Sequence, residues 1–193
     1  MWRWIPSPIT FFTAVLAFFT VVLAISTSIQ VWAFIESERA FVNIDIVGVE
    51  MGKISEGRPV ILNLSVRNSG RETAFMEEAV ISYQLGALPP EPHYARGDIK
   101  FVGPVPPGET FAGAFTPLRD GSTMKFDASE MALVNSGKNL FFFGYARYRD
   151  PFSPLLGTRM IGFCRQYNPN NPPGLVVFEG CGAVGAKYVY LRP

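Results

Sequence analysis

An uncharged run near the start of the chain, residues 9–35, constrains the fold more than any other feature. It contains no Asp, Glu, Lys or Arg. An α-helix rises about 1.5 Å per residue, and about 20 apolar residues therefore cross the hydrocarbon core of a bilayer. Because the run exceeds that length, it predicts a transmembrane helix at residues 9–35, between a short cytoplasmic N-terminus (residues 1–8) and a domain at residues 40–193.

A cleaved signal peptide is the alternative interpretation of this run, since a plausible cleavage site ends at Ala24. The apolar part of a signal peptide spans about 7–15 residues, whereas this run continues past Trp32. Trp2 and Trp4 at one end and Trp32 at the other match the aromatic belts found at both surfaces of a bilayer. We therefore expect an uncleaved anchor, with the lipid bilayer as its first partner.

The two cysteines, Cys164 and Cys181, lie equally far from a turn centred on residues 172–173. A hairpin with that turn places them opposite each other, within the separation that a disulfide needs. The ring of 18 residues would stabilise the fold by about 3 kcal/mol in the chain-entropy model. Two unrelated buried thiols are the alternative. Because disulfides persist outside the cytosol, this pair favours an external domain, whereas the Lys and Arg count near the span leaves the orientation weakly specified.

The pattern of the rest of the chain predicts short strands joined by turns. Residues 40–48 and 60–68 alternate between apolar and polar side chains, as half-buried strands do. Residues 140–148 are apolar on both faces at first, which predicts a central strand, and residues 159–167 would return beside them as a hairpin. Asp127 and Glu130 have capping-box spacing, which predicts a short helix. About seven strands predict an all-β fold, an immunoglobulin-like β-sandwich; a small open barrel is the alternative.

Two groups of residues resemble stretches of known bacterial protein families. The stretch 66–70, followed by Thr73-Ala74 and the turn at 107–109, resembles bacterial immunoglobulin-like adhesion-type modules. The later stretch 145–152 and the residues after it are similar to uncharacterised bacterial single-span membrane proteins with an immunoglobulin-like β-sandwich domain. The resemblance implies a bacterial membrane protein with one N-terminal span and one such domain, but no activity. Together with the cysteine pair, we expect a place in the bacterial inner membrane, with a cytoplasmic N-terminus and a periplasmic domain.

Motifs for catalysis are missing from the sequence. His93 is the single histidine, and it falls in a proline-rich loop. There is no Gly-x-Ser-x-Gly elbow, no phosphate-binding glycine loop before a helix and no Cys-x-x-Cys pair. The net charge of +1 does not indicate a basic surface that would bind nucleic acid. We therefore expect no catalytic residue, no metal site, no cofactor and no nucleic-acid partner.

Charged residues near the end of the central strand are the remaining polar candidates. Arg147, Arg149 and Asp150 could contact a partner, although a structural ion pair that holds the hairpin is the simpler interpretation. Glu77 and Glu78 should not converge, because adjacent residues of a strand point to opposite faces.

A heptad pattern of small residues runs along the predicted helix, and we call it the small-residue seam. Its members are Thr10, Thr13, Ala17, Thr20, Ala24 and Thr27. In lipid, close approach at small side chains favours helix association, and this spacing favours a left-handed crossing. The seam predicts contact with another transmembrane helix, from a second copy or from another subunit.

The sequence as a whole favours a membrane-anchored, non-enzymatic interaction or accessory subunit. A ligand-binding receptor or an enzyme with a pocket on the sandwich is the alternative.

Overall fold

The computed structural model describes residues 8–50, 53–94, 98–99, 103–119, 122–168 and 178–192. The chain divides into two compact units, Met1–Glu38 and Arg39–Pro193. The first unit contains the helix α1, and the second contains the sheets.

The helix α1 (Pro8–Glu38) has 31 residues, and none of them is buried. It includes the whole uncharged run and continues for about one turn, to Glu38. Its most apolar stretch has a mean hydropathy of 2.4. By length and composition the helix is therefore able to cross a membrane, as predicted.

The second unit consists mainly of antiparallel strands. They are β1 (Val42–Val49), β2 (Leu62–Asn68), β3 (Ala74–Leu85), β4 (Asp98–Ile99), β5 (Gly103–Val105), β6 (Thr110–Phe115), β7 (Leu118–Arg119), β8 (Ser122–Thr123), β9 (Leu140–Arg149), β10 (Arg159–Tyr167), β11 (Phe178–Gly180) and β12 (Tyr190–Arg192). Within the described residues, β1-β2-β6 form the smaller sheet and β11-β10-β9-β3-β4 the larger one. In the larger sheet β12 also pairs with β10, and β5 pairs with β3, while β7 and β8 form a separate hairpin.

Both sheets line one hydrophobic core. Alternate residues of β1 and β2, such as Ile44 and Leu64, are buried in it as the alternation predicted. The larger sheet contributes Ile81, Phe142 and Tyr148 to the same cluster. The predicted antiparallel sheets are thus confirmed.

The strand β9 is central, as its two apolar faces predicted. It pairs with β3 on one side and with β10 on the other. Phe142 faces the shared core, whereas Phe141 and Phe143 belong to a second cluster on the opposite face of the sheet. The strand therefore separates two apolar clusters.

The domain also contains helical segments, so the all-β description holds only for its sheets. These are α2 (Ala128–Asn135), α3 (Ser153–Leu156) and a 3₁₀ helix (Gly182–Tyr188). The predicted capping box starts α2: the Asp127 carboxylate accepts from the Glu130 N–H at 2.8 Å, and the Glu130 carboxylate accepts from the Asp127 N–H at 3.1 Å.

Candidate binding surface

The face of the larger sheet that points away from the shared core is half covered and half open. The β9 residues that point to this outer face are Phe141, Phe143, Tyr145, Arg147 and Arg149. The two phenylalanines are buried, Tyr145 is half-buried, and the two arginines are exposed. The open half is therefore the polar end of the strand.

The predicted disulfide between Cys164 and Cys181 is present, with a Cα–Cα distance of 5.7 Å. Arg165 pairs with Gly180 in the β10–β11 ladder, and the cysteines are the next opposed positions, as the symmetric spacing predicted. The turn at residues 172–173 lies outside the described residues.

The disulfide leads directly into the 3₁₀ helix that covers half of the outer face. The Tyr188 ring at the end of this helix packs edge-on against Phe143, with ring centroids 4.8 Å apart. Its hydroxyl donates to the Pro89 carbonyl at 2.7 Å. The 3₁₀ helix and the proline-rich loop are therefore joined over β9, and β12 follows at once.

A row of aromatic and charged side chains crosses the outer face beside this cover. We call it the tyrosine–arginine strip; its members are Glu77, Glu78, Tyr94, Tyr145, Arg147, Arg149, Tyr190 and Arg192.

The aromatic half of the strip is held by hydrogen bonds and ring contacts. The hydroxyls of Tyr94 and Tyr190 are 3.0 Å apart, and the Tyr94 ring packs edge-on against Tyr145 at 4.9 Å. The Tyr145 hydroxyl donates to a Glu78 carboxylate oxygen at 3.1 Å. Burial raises the pKa of Tyr94, and its hydrogen bond to Tyr190 adds to the rise. Burial likewise raises the pKa of Tyr145, with a further contribution from Glu78.

The charged half of the strip corrects the prediction that Glu77 and Glu78 would not converge. Arg147 lies 2.9 Å from the Glu78 carboxylate and 3.6 Å from that of Glu77, which is also 3.7 Å from Arg149. The register of β3 against β9 shifts between Met76 and Glu78. The extra residue of this β-bulge interrupts the strict alternation, so that both carboxylates reach the same arginine.

Asp150 is not part of this exposed surface, although it was grouped with Arg147 and Arg149. Its side chain is 0% exposed and bonds the equally buried Arg39 at 2.8 Å. Arg39 also donates to the Gly157 carbonyl at 2.9 Å. The buried ion pair is structural, whereas the two arginines are 45% and 62% exposed.

A polar cleft of about 540 Å³ lies at the aromatic end of the strip. It is lined by Pro90, Glu91, Pro92, Tyr94, Lys187, Tyr190 and Arg192. The Arg192 guanidinium lies 4.7 Å from the centre of the Tyr190 ring. With two cations and one carboxylate, the lining favours an anionic group.

The small-residue seam lies along α1, whose side chains are open to contact. Two of its hydroxyls bond within the helix: Thr13 donates to the Ile9 carbonyl at 2.8 Å, and Thr20 donates to the Leu16 carbonyl at 2.9 Å. These bonds hold the two threonine hydroxyls against the backbone of their own helix.

Residues typical of catalysis are not assembled in the described chain. His93 is exposed in the loop before Tyr94. Among the described residues, no group of three or more His, Cys, Asp and Glu side chains is placed to hold a metal ion.

Sequence reasoning missed the aromatic half of the strip. Tyr94 and Tyr190 are 96 residues apart, and they meet only because the proline-rich loop and β12 lie on one face. The alternation of Tyr188, Tyr190 and Arg192 near the end of the chain is a strand signal that could have located one of its sides.

Comparison with protein-family models, with curated proteins and with solved structures found no match to this chain. The site must therefore be interpreted from its own geometry.

Proposed function

We propose that this chain is a non-enzymatic interaction or accessory subunit, anchored in the bacterial inner membrane, that binds a partner protein through the tyrosine–arginine strip. The observation that carries the proposal is the strip itself. Tyrosine and arginine are the residues, with tryptophan, that contribute most binding energy at protein interfaces.

The way in which the strip is held favours recognition of a protein. Tyr145 and Arg147 stand on the central strand of the larger sheet, and Tyr94 is held by two other tyrosines. Side chains that are already ordered lose less conformational entropy when a partner binds. The strip offers aromatic edges and charged groups of both signs, as partner-binding surfaces commonly do.

Placement outside the cytosol has support from two features. The disulfide belongs to proteins of oxidising compartments. The uncharged helix α1 supplies the anchor. The resemblance to bacterial single-span membrane proteins supports an immunoglobulin-like domain behind one N-terminal span. The disulfide supports a periplasmic position for this domain, and with it a cytoplasmic N-terminus. The small-residue seam supports a second contact, with a transmembrane helix of the same assembly.

Purification of the full chain from its native membrane in mild detergent tests this function. The double variant Tyr145→Ala with Arg149→Ala should reduce the amount of the co-purifying partner about tenfold, because both changes truncate interface anchors. Arg67→Ala is the matched control, since Arg67 is exposed on β2 of the smaller sheet. If both variants retain the same partners as the unchanged chain, the strip is not the binding surface.

A receptor for a small anionic ligand is the second candidate, favoured by the cleft. Its volume of about 540 Å³ falls in the range of ligand sites, and Lys187 and Arg192 have no ion-pair partner within the described residues. Lys187→Ala separates the two functions, because Lys187 lines the cleft but is not a member of the strip. A receptor requires this cation, whereas the proposed interaction module keeps its partner when Lys187 is changed.

A further inference from the structure

We infer that β6 is an edge for self-association: β6 of one copy pairs antiparallel with β6 of a second copy, with Gly113 on the two-fold axis. The pairing joins two smaller sheets into one sheet of six strands. It uses a surface and a partner different from those of the proposed function.

The other sheet edges in the described chain carry features that discourage pairing with another chain. β11 and β12 have three residues each and contain Glu179 and Arg192. β5 is equally short and contains Pro104, and β4, β7 and β8 have only two residues each. β1, the opposite edge of the smaller sheet, contains Asp45 and has an irregular register at Val47. Short length, charge, proline and bulges are the usual protections of an exposed edge.

The strand β6 has none of these protections. Its six residues, Thr110–Phe115, include no charged residue and no proline, and its register with β2 is regular. Phe111 is 42% exposed. In the part of the chain that the structure describes, no strand pairs with the side of β6 that faces away from β2.

The hydrogen bonds around β2 identify the β6 backbone groups that face outward. The Asn68 N–H donates to the Glu109 carbonyl at 3.1 Å, on the β6 side, and the Ser69 N–H donates to the Phe41 carbonyl at 2.8 Å, on the β1 side. Because directions alternate along a strand, Phe111 and the residues two and four positions after it bond to β2. The N–H and C=O groups of residues 110, 112 and 114 therefore point to the free edge.

The residues of β6 are self-complementary. Residues 111–115 read Phe-Ala-Gly-Ala-Phe, the same in both directions. With Gly113 on the axis, Ala112 of each copy pairs with Ala114 of the other through two hydrogen bonds, which joins the outward-facing groups. Phe111 then lies directly opposite Phe115 of the other copy, at a close, non-hydrogen-bonded position where aromatic pairs stabilise a sheet. A second copy thus matches this edge at all five positions.

Disulfide cross-linking in native membranes tests the pairing in the full chain. One tagged copy carries Ala112→Cys and a second carries Ala114→Cys; the native cysteines are already joined to each other. Hydrogen-bonded antiparallel positions have Cα atoms about 5.5 Å apart, which a disulfide spans. The mixed pair should therefore cross-link several-fold more than Val47→Cys, a control on the opposite edge that is 53% exposed.

A charged residue placed on β6 should instead weaken the pairing, and the same cross-link measures this effect. Phe111→Lys, added to the mixed cysteine pair, should reduce the cross-link several-fold, whereas Val47→Lys should leave it unchanged; near-ultraviolet circular dichroism checks that each variant is folded. Cross-linking of the mixed pair no stronger than that of Val47→Cys would overturn self-association at β6. Equal cross-linking by Ala112→Cys alone would overturn the axis at Gly113. Because the strip is unchanged in these variants, their result is independent of partner binding.

Discussion

Arg39 and Asp150 form a fully buried ion pair between residues 111 positions apart. Their side chains are 2% and 0% exposed, and the Asp150 carboxylate also accepts from the Phe152 N–H at 3.1 Å. Taking two charges out of water is costly, and removal of one partner leaves the other charge buried without compensation. The pair therefore makes the fold sensitive to either residue.

Asp150→Ala should lower the free energy of unfolding by about 3–5 kcal/mol, because it leaves the Arg39 charge buried. Glu77→Ala, which breaks only exposed pairs, should cost no more than about 1 kcal/mol. Urea unfolding followed by tyrosine circular dichroism measures both, since the three tryptophans lie at residues 2, 4 and 32, outside the domain. Similar losses for the two variants would show that the buried pair has no special role.

The tyrosines of the strip predict a loss of stability at high pH. Burial raises the pKa of Tyr94 above its ordinary value of 10.0, so that the folded state keeps this proton after the unfolded state has lost it. Stability from this group is complete below about pH 10 and falls as the pH rises above it. Tyr94→Phe should make the fall between pH 10 and 11 shallower in urea titrations. Equal slopes for the variant and the unchanged chain would contradict this assignment.

At the scale of elements, the sequence predicted what is local. The alternation of β1 and β2, the two apolar faces of β9 and the capping box of α2 each depend on residues close together in the chain. The symmetric cysteine spacing even predicted which positions of β10 and β11 oppose each other. The bulge at Glu77 was not predictable, because it is a property of the pairing between β3 and β9. The aromatic half of the strip was not predictable either, because it depends on a contact between a loop and a strand that is distant in the sequence.

The helix α1 provides a prediction of its own. Ala17→Leu with Thr20→Leu widens the small-residue seam and should abolish association between transmembrane helices, because close backbone approach is lost. Phe18→Leu with Val21→Leu changes neighbouring positions off the seam and should leave association unchanged. A membrane two-hybrid assay compares the two pairs. Equal effects would show that the seam is not a contact surface.

At the scale of the whole molecule, the disulfide and the uncharged helix together predict topology. Protease added to intact spheroplasts should digest the domain and leave a short N-terminal fragment protected by the membrane. The disulfide favours this side, because the cytosol keeps most thiols reduced. Digestion only after the membrane is opened would place the domain in the cytosol.

The central claim is that the strip is where this anchored domain meets a partner protein. Its most direct test is photo-cross-linking in living cells, with p-benzoylphenylalanine in place of Tyr145, which stands in the middle of the strip. The same group at Arg67, exposed on the smaller sheet, is the control. We expect a discrete adduct with a second protein from position 145 that position 67 does not give. No adduct from position 145, or the same adduct from both positions, would contradict the claim.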